Sequence, residues 1–197
     1  MAERTAPQRT IKLTDPRALR AVAHPTRLAL IGLLRRSGPL TATRAGELIG
    51  ESAASCSFHL RQLAKYGLVE EAGGGRGRER PWRATAMVTE WPEISGSPEA
   101  DAASELLSAV VAERYFEGVM GWLERRRDEP AEWREGAPFG DSILYLTASE
   151  LADLGARLQE LAAPYADRTA DADQRPDGAR AVSLLHIAFP LTNERGE

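Results

Sequence analysis

Apolar residues recur every three or four positions along four short stretches between residues 15 and 67, a spacing that predicts four helices. Each predicted helix follows a residue that can cap its first turn, and in two of them proline occupies the first helical position. Residues 1–14, which precede the first cap, are predicted to form a mobile N-terminal arm. The caps are Asp15, His24, Thr41 and Ser52, and the core-facing stripe of the fourth helix is Cys56, Leu60 and Leu63.

A tight turn at Gly50 joins the third and fourth predicted helices, and two short helices joined in this way form a helix-turn-helix unit. After the fourth helix the pattern changes to a hairpin. Leu68 and Val69 open its first strand, a tip rich in glycine and arginine follows, and residues 80–85 return as the second strand. We expect Trp82 to anchor the return strand on the core. These elements predict a winged helix-turn-helix domain over residues 15–88, with the hairpin as its wing.

A long amphipathic helix is predicted over residues 99–128, after a linker at 89–98 that contains two prolines and a glycine. Its apolar surface is broad, and a surface of this kind needs a partner. We therefore expect a dimer interface along one stripe of this helix. The stripe is Leu107, Val111, Tyr115, Val119 and Trp122.

A strand, a helix and a second strand are predicted after the long helix. Residues 142–146 read as a strand, and Thr147 with Glu150 forms a capping box that starts a helix ending at Pro164. An acidic loop at 166–180 leads to a buried strand over 181–189. The fold class predicted is mainly α with a small β component: the winged helix-turn-helix domain plus an α+β domain over 99–197 for dimerisation and possible effector binding.

Charge is divided unevenly along the chain. Residues 1–85 contain 15 Lys+Arg and 7 Asp+Glu, a net charge of +8, whereas residues 86–197 contain 10 and 22, a net charge of −12. A basic segment attracts a polyanion such as nucleic acid. The chain has no apolar run of membrane-spanning length and no secretory signal, so we expect a cytoplasmic protein without membrane partners.

Three stretches share the wording of one protein family: AVAHPTRLALIGLL at 21–34, TATRAGELIGESAASCSFHLRQLAKYGLVEE at 41–71 and GRGRERPWRAT at 75–85. In order and spacing the chain resembles the ArsR-type winged helix-turn-helix regulators, in particular actinobacterial-like members with an extra C-terminal domain. The resemblance implies a homodimer that binds a pseudo-palindromic operator in double-stranded DNA. We expect this dimer to be a repressor that a small-molecule signal releases. The resemblance also implies that the helix beginning at Ser52 enters the major groove.

Side chains on the outer face of that helix have the chemistry for base contacts. Arg61 can pair with guanine, Gln62 with adenine, and Phe58 can touch a thymine methyl group. The start of the preceding helix favours a phosphate, and wing arginines can follow phosphates or enter a narrow minor groove. The predicted DNA-contact set is Thr41, Thr43, Arg44, Ser52, Ala54, Ser55, Ser57, Phe58, Arg61, Gln62, Lys65, Arg76, Arg78 and Arg80.

The signal is harder to place than the DNA-binding surface. No cysteine lies in the third helix and no histidine in the long helix, so neither a metal site nor a cofactor is predicted. Oxidation of Cys56 is one conceivable switch, although a buried apolar role for this thiol is favoured. A small apolar or aromatic ligand is the other, because ligand pockets are mostly apolar. Candidate effector residues are Tyr115, Trp122, Trp133 and Tyr145, although core packing and dimerisation are the favoured roles for such aromatic side chains.

Two other classes of function compete with a regulator. The sequence lacks a phosphate-binding lysine loop, a HExxH motif and a GxSxG motif, so we do not expect an enzyme. A winged helix can also bind protein or RNA without an operator, and fold alone does not decide between these partners. The basic recognition face and arginine-rich wing favour DNA.

Overall fold

The computed structural model describes residues 8–75, 80–92 and 94–191 of the 197-residue chain. The protein is mainly α-helical with a small β component, which confirms the predicted fold class at this level. It divides into two compact units, Met1–Trp122 and Leu123–Glu197. None of the helices in the described ranges is both long and apolar enough to cross a membrane.

Four helices form the core of the first unit, as the apolar spacing predicted. Each begins at its predicted cap, whose side chain accepts a backbone N–H of the first turn and so satisfies one otherwise unpaired donor. The third helix ends at Gly50, whose φ of 74° lies in the left-handed region that glycine adopts freely. The helices are α1 Pro16–Val22, α2 Pro25–Ser37, α3 Ala42–Ile49 and α4 Ala53–Lys65.

The predicted hairpin follows the helices and packs on them. Its strands, β2 Val69–Glu71 and β3 Trp82–Ala84, pair antiparallel. Trp82 is buried in the core, and its backbone N–H and carbonyl group both bond to Leu40, so the prediction that it anchors the return strand is confirmed. The tip residues 76–79 lie outside the described ranges.

A second pair of strands was not predicted. Strand β1, Gln8–Lys12, runs parallel to β4, Ala86–Glu90, and Leu13 is buried directly after it. The prediction of a mobile arm over residues 1–14 is therefore wrong for residues 8–13. A parallel pair joins segments far apart in the chain, and neither strand has a local turn signal that would reveal its partner.

The long helix α5, Pro98–Arg125, ends in a 3-10 turn at Arg126–Asp128, close to the predicted limits. Its first turns belong to the core of the first unit, since Ala103 and Leu107 pack among the residues of α1, α2 and α4. The predicted domain bounds of 15–88 and 99–197 remain a prediction, but side chains beyond residue 98 contribute to the core of the helix-turn-helix unit.

The second unit contains the short helix α6, Ala131–Glu135, and the longer α7, Ala148–Ala170. The capping box is confirmed: the backbone N–H of Thr147 donates to Glu150 Oε2 at 2.8 Å, and the N–H of Glu150 donates to Thr147 Oγ1 at 3.3 Å. The predicted helix end at Pro164 is wrong, because α7 continues to residue 170 and so includes the start of the predicted loop.

Both strands predicted in the C-terminal half are absent. Residues 142–146 and 181–189 are not strands, and most of their side chains are exposed, including Ile143, Tyr145, Ile187 and Phe189. A strand needs a hydrogen-bonded neighbour, and among the described residues neither segment has one. The apolar runs that predicted these strands are present in the sequence, but they do not supply the neighbour.

Candidate nucleic-acid interface

The turn between α3 and α4 requires glycine at residue 46. The backbone N–H of Glu51 donates to the carbonyl of Gly46 at 3.0 Å, which brings the turn over the side of α3. A Cβ atom at residue 46 would lie 2.4 Å from the carbonyl oxygen of Glu51, closer than any side chain can approach. This contact fixes where α4 begins relative to α3. The sequence did not reveal it, because a glycine inside a helical pattern does not indicate which segment packs against it.

Helix α4 has one buried face and one exposed face. Cys56, Leu60 and Leu63 are fully buried, as predicted from their spacing. On the predicted outer face, Ala54, Phe58, Arg61 and Lys65 are exposed, while Ser55, Ser57 and Gln62 are half-buried at its margins. Phe58 has 49% of its surface exposed, an unusual exposure for an aromatic side chain on a short helix.

Two of the predicted DNA-contact residues, Thr41 and Ser52, are also the caps of α3 and α4. Thr41 Oγ1 accepts the backbone N–H of Arg44 at 3.1 Å, and Ser52 Oγ accepts that of Ser55, also at 3.1 Å. Each hydroxyl can still donate its proton, so capping does not prevent a phosphate contact. Thr43, at the first turn of α3, is exposed.

The arginine side chains of this surface differ in whether they already form an ion pair with a glutamate. Arg44 Nη1 lies 2.7 Å from Glu47 Oε2. In the wing, Arg80 pairs with Glu71 at 3.2 Å and Arg83 with Glu70 at 2.7 Å, so these carboxylates offset part of the wing's positive charge.

Arg61 differs from these arginines: it is exposed and has no hydrogen-bond or ion-pair partner among the residues that the structure describes. Lys65 Nζ lies 5.8 Å from the ring centroid of Tyr66. Arg76 and Arg78, predicted at the wing tip, lie outside the described residues.

Cys56 is a packing residue in this structure. Its side chain is fully buried. Burial is the larger cause that raises the pKa of the thiol, and the nearby Glu51 carboxylate is the smaller one. A raised pKa reduces the thiolate fraction that oxidation needs, which argues against Cys56 as a redox switch. In the described part of the chain, no three His, Cys, Asp or Glu side chains form a cluster that could hold a metal ion.

The residues predicted for dimerisation have unequal exposure. Leu107 is fully buried within its own unit, so it is not available to a partner chain, and Val111 packs partly against the same core. Tyr115 is 43% exposed, and Val119 and Trp122 are half-buried. Phe116, Met120 and Leu106 also present apolar surface from α5.

The four candidate effector residues fall in different units. Tyr115 and Trp122 belong to α5 in the first unit. In the second unit, Trp133 is half-buried beneath the guanidinium group of Arg180, 4.8 Å from its ring centroid, and Arg180 also pairs with Glu129 at 2.8 Å. Tyr145 is 98% exposed. The structure therefore assigns a packing contact to Trp133 and no burial to Tyr145.

The comparison with known proteins gives a match to the part of the chain that contains this surface. Residues 22–72 match the family model of a helix-turn-helix domain, a range that extends from the end of α1 to the residue after β2. No curated protein matches the chain. The chain thus contains a helix-turn-helix domain of the type found in DNA-binding regulators, and the predicted contact residues from Thr41 to Lys65 lie inside it.

Proposed function

We propose that this protein is a sequence-specific DNA-binding transcriptional regulator of the ArsR type, in which α4 enters the major groove of double-stranded DNA. The observation that carries the proposal is the division of α4 into a buried apolar face and an exposed face with Arg61 and Lys65. An exposed arginine with no partner among the described residues can form the bidentate contact that distinguishes guanine from other bases.

The surroundings of α4 support this placement. The tight Gly46 turn fixes the start of α4 against the side of α3. In the first turn of each helix, backbone N–H groups and the helix dipole attract phosphate. Thr41, Thr43 and Arg44 are the phosphate contacts proposed there. Such contacts set the orientation of the domain on the duplex, whereas the outer face of α4 reads the bases.

The wing contributes affinity more than specificity. Because Arg80 and Arg83 pair with glutamates on the neighbouring strand, their charge is partly offset. We therefore assign the main wing contact with DNA to Arg76 and Arg78 at the tip, which the sequence places there. An arginine at a loop tip follows phosphates or enters a narrow minor groove.

A homodimer is the proposed assembly, and the exposed apolar part of α5 is its proposed interface. Tyr115, Val119 and Trp122 remain in the proposed surface, and the exposed Phe116 and Met120 extend it. Apolar surface of this extent on one helix marks an interaction site more often than a solvent face. Two symmetric copies would read an operator with two inverted half-sites.

Repression relieved by a small apolar or aromatic ligand is the proposed mode of regulation. Tyr115 and Trp122 are the aromatic residues that support it best, because both lie on α5 within the proposed dimer interface. An aromatic group at a dimer interface can contact a ligand and a partner chain, which would couple ligand binding to assembly.

Selection from a pool of random duplexes tests the proposed function directly. Full-length protein is incubated with the pool, and bound duplexes are amplified and sequenced. The proposal predicts enrichment of an inverted repeat whose half-sites are separated by about one helical turn, 10–10.5 base pairs from centre to centre. Absence of any enriched sequence would contradict it.

A winged-helix module that binds protein or RNA is the second candidate, and one observation favours it. Leu48 on α3 and Phe58 on α4 are 47% and 49% exposed, and apolar side chains at a surface suit a protein partner. Enrichment from an RNA pool but not from the DNA pool would support this alternative.

A further inference from the structure

Two histidines of the helix-turn-helix unit meet beneath the recognition surface, at a place that no DNA contact uses. His59 of α4 has only 9% of its surface exposed, and its ring centroid lies 4.6 Å from that of His24, the cap of α2. Arg27, one turn into α2, completes the cluster. A buried histidine in a small domain needs a hydrogen-bond partner, and the identity of that partner fixes its protonation.

Both imidazoles accept hydrogen bonds through Nδ1. Arg27 Nε donates to His59 Nδ1 at 3.2 Å, and the backbone N–H of Thr26 donates to His24 Nδ1 at 3.2 Å. A nitrogen that accepts a hydrogen bond carries no proton, so the bond from Arg27 assigns the neutral form with the proton on Nε2 to His59. Protonation of His59 Nδ1 would place an N–H group against the N–H donor of Arg27.

Charged groups from each neighbouring segment act on His59. Burial has the largest effect, and it lowers the pKa of the imidazole; His24 and Arg27 on the α2 side lower it further, while Glu51 in the turn before α4 raises it. Glu51 Oε1 accepts the hydroxyl of Thr26 at 3.4 Å, which also ties this turn to the start of α2. Three of the four influences therefore favour the neutral ring.

The same cluster connects α1, α2 and α4. Arg27 Nη1 donates to the carbonyl oxygen of Ala21 at the end of α1, while its Nε holds His59. On α4, His59 is flanked by the exposed Phe58, whose ring packs edge-on against it at 5.3 Å, and Arg61 follows half a turn later. A change in the position of His59 would thus displace the two side chains proposed to read the bases.

We propose that Arg27 and His59, with the His24 ring packed beside them, hold α4 in its DNA-binding orientation only while the imidazole of His59 is neutral, so that acidification from pH 7.5 to 5.5 weakens DNA binding. The inference rests on the proposed function. The phosphates and arginines of a protein–DNA interface do not titrate in this interval, whereas histidine does.

The direction of the effect follows from proton linkage. In the folded protein the pKa of His59 lies below its ordinary value of 6.5, so the unfolded or displaced state binds a proton more readily. The stabilisation that the neutral His59 ring provides is complete above about pH 6.5 and is lost as the pH falls from there towards the folded pKa. The affinity for DNA follows the same course if the cluster positions α4.

The experiment measures binding of full-length protein to a fluorescently labelled duplex taken from the random-pool selection, at pH 7.5 and 5.5 and constant ionic strength. For the parent protein we expect the dissociation constant to rise severalfold at pH 5.5, because the protonated His59 ring must lose its proton before α4 takes its DNA-binding orientation. His59→Gln, which can accept the bond from Arg27 but does not titrate, should lose most of this dependence.

His186→Gln is the matched control, because His186 is an exposed histidine of the second unit. It should show the same pH dependence as the parent. The Arg27→Lys variant keeps the positive charge but cannot reproduce the geometry of Nε, so it should weaken binding at pH 7.5. If the parent binds equally well at both pH values, or if His59→Gln keeps the full dependence, the inference is wrong while the proposed function stands. A parent that binds no duplex at pH 7.5 overturns both.

Discussion

Arg61 is the residue on which base recognition depends most in the proposed complex. The nearby Arg44, Arg80 and Arg83 each pair with a glutamate, and these pairs must loosen before the arginine can contact DNA. Arg61 needs no such exchange, because no described residue holds it. An uncommitted guanidinium group on the outer face of α4 is available for two parallel hydrogen bonds to a base.

Replacing Arg61 by alanine should therefore weaken binding to the selected operator by about 1–3 kcal/mol and relax the base preference at one position of each half-site. Anisotropy titrations on the operator and on single-base variants measure both effects. Arg157→Ala, an exposed arginine of α7, is the matched control and should bind like the parent. Equal affinity of Arg61→Ala and the parent for every duplex would remove Arg61 from the interface.

Gly46→Ala should destabilise the helix-turn-helix unit, because the new Cβ atom would overlap the carbonyl oxygen of Glu51. Overpacking of this kind costs about 1–3 kcal/mol, which urea denaturation measures. The control is Gly118→Ala in α5, where a Cβ atom meets no other atom within 4 Å. Alanine at residue 118 should be neutral or slightly stabilising, since it is the better helix former. A Gly46→Ala variant as stable as the parent would show that the turn can relax.

The sequence predicts residues whose role is local better than those whose role depends on a distant neighbour. The four helix caps and the buried stripe of α4 follow from hydrogen bonding and spacing within one helix. The close approach at Gly46 and the bond from Arg27 to His59 depend on how separate helices meet. No local pattern contains that information, so the sequence did not reveal these two contacts.

At the scale of elements, the side chain of Arg35 in α2 forms a clamp of two hydrogen bonds to β4, one strand of the pair that the sequence did not predict. Arg35 Nε donates to the carbonyl oxygen of Ala86 at 2.9 Å, and its Nη2 donates to Thr89 Oγ1 at 2.6 Å. Burial lowers the pKa of Arg35 to about 10, so the guanidinium group still carries its charge at neutral pH. Since β4 pairs with β1, this one side chain links the end of α2 to the N-terminal strand.

Arg35→Met should destabilise the first unit by about 1–3 kcal/mol, because it leaves the Ala86 carbonyl without its donor. Circular dichroism during urea titration gives the free energy of unfolding. Arg36→Met is the matched control: the neighbouring residue is exposed, and its replacement should change stability by less than about 0.5 kcal/mol. If the two variants lose equal stability, the clamp has no special role.

The strands show which secondary-structure elements can be predicted from the sequence and which cannot. The wing was predicted because a tip rich in glycine and arginine connects two neighbouring strands, β2 and β3. The pair β1–β4 was missed because its partners are separated by more than 70 residues. Conversely, residues 142–146 and 181–189 are apolar runs without a described neighbour. Pairing depends on tertiary context, which an apolar run alone does not specify.

At the scale of the whole molecule, the uneven charge agrees with the positions of the proposed DNA contacts. The net +8 of residues 1–85 coincides with the segment that contains α3, α4 and the wing, while the acidic remainder contains α5, α6 and α7. An acidic second unit is repelled by DNA, which favours presentation of the basic helices to the duplex.

The proposed dimer gives a prediction at this scale. The double variant Tyr115→Glu, Val119→Glu places two charges on the exposed part of α5 and should convert a dimer into a monomer, because a buried unpaired carboxylate is costly. Light scattering after size-exclusion chromatography measures the mass. Glu113→Gln, an exposed change on the same helix, should remain dimeric. A monomeric parent, or a dimeric double variant, would place the interface elsewhere or remove it.

The salt dependence of DNA binding tests the central claim most directly. Anisotropy of the full-length protein is measured on a duplex from upstream of its own gene and on a random duplex, across a series of salt concentrations. A helix-turn-helix regulator should bind the specific duplex at least about 10³-fold more tightly, and log K should fall steeply and linearly with log salt as phosphate contacts release counterions. Equal and weak binding to both duplexes, together with equally weak binding to the inverted repeat from the random-pool selection, would contradict the account.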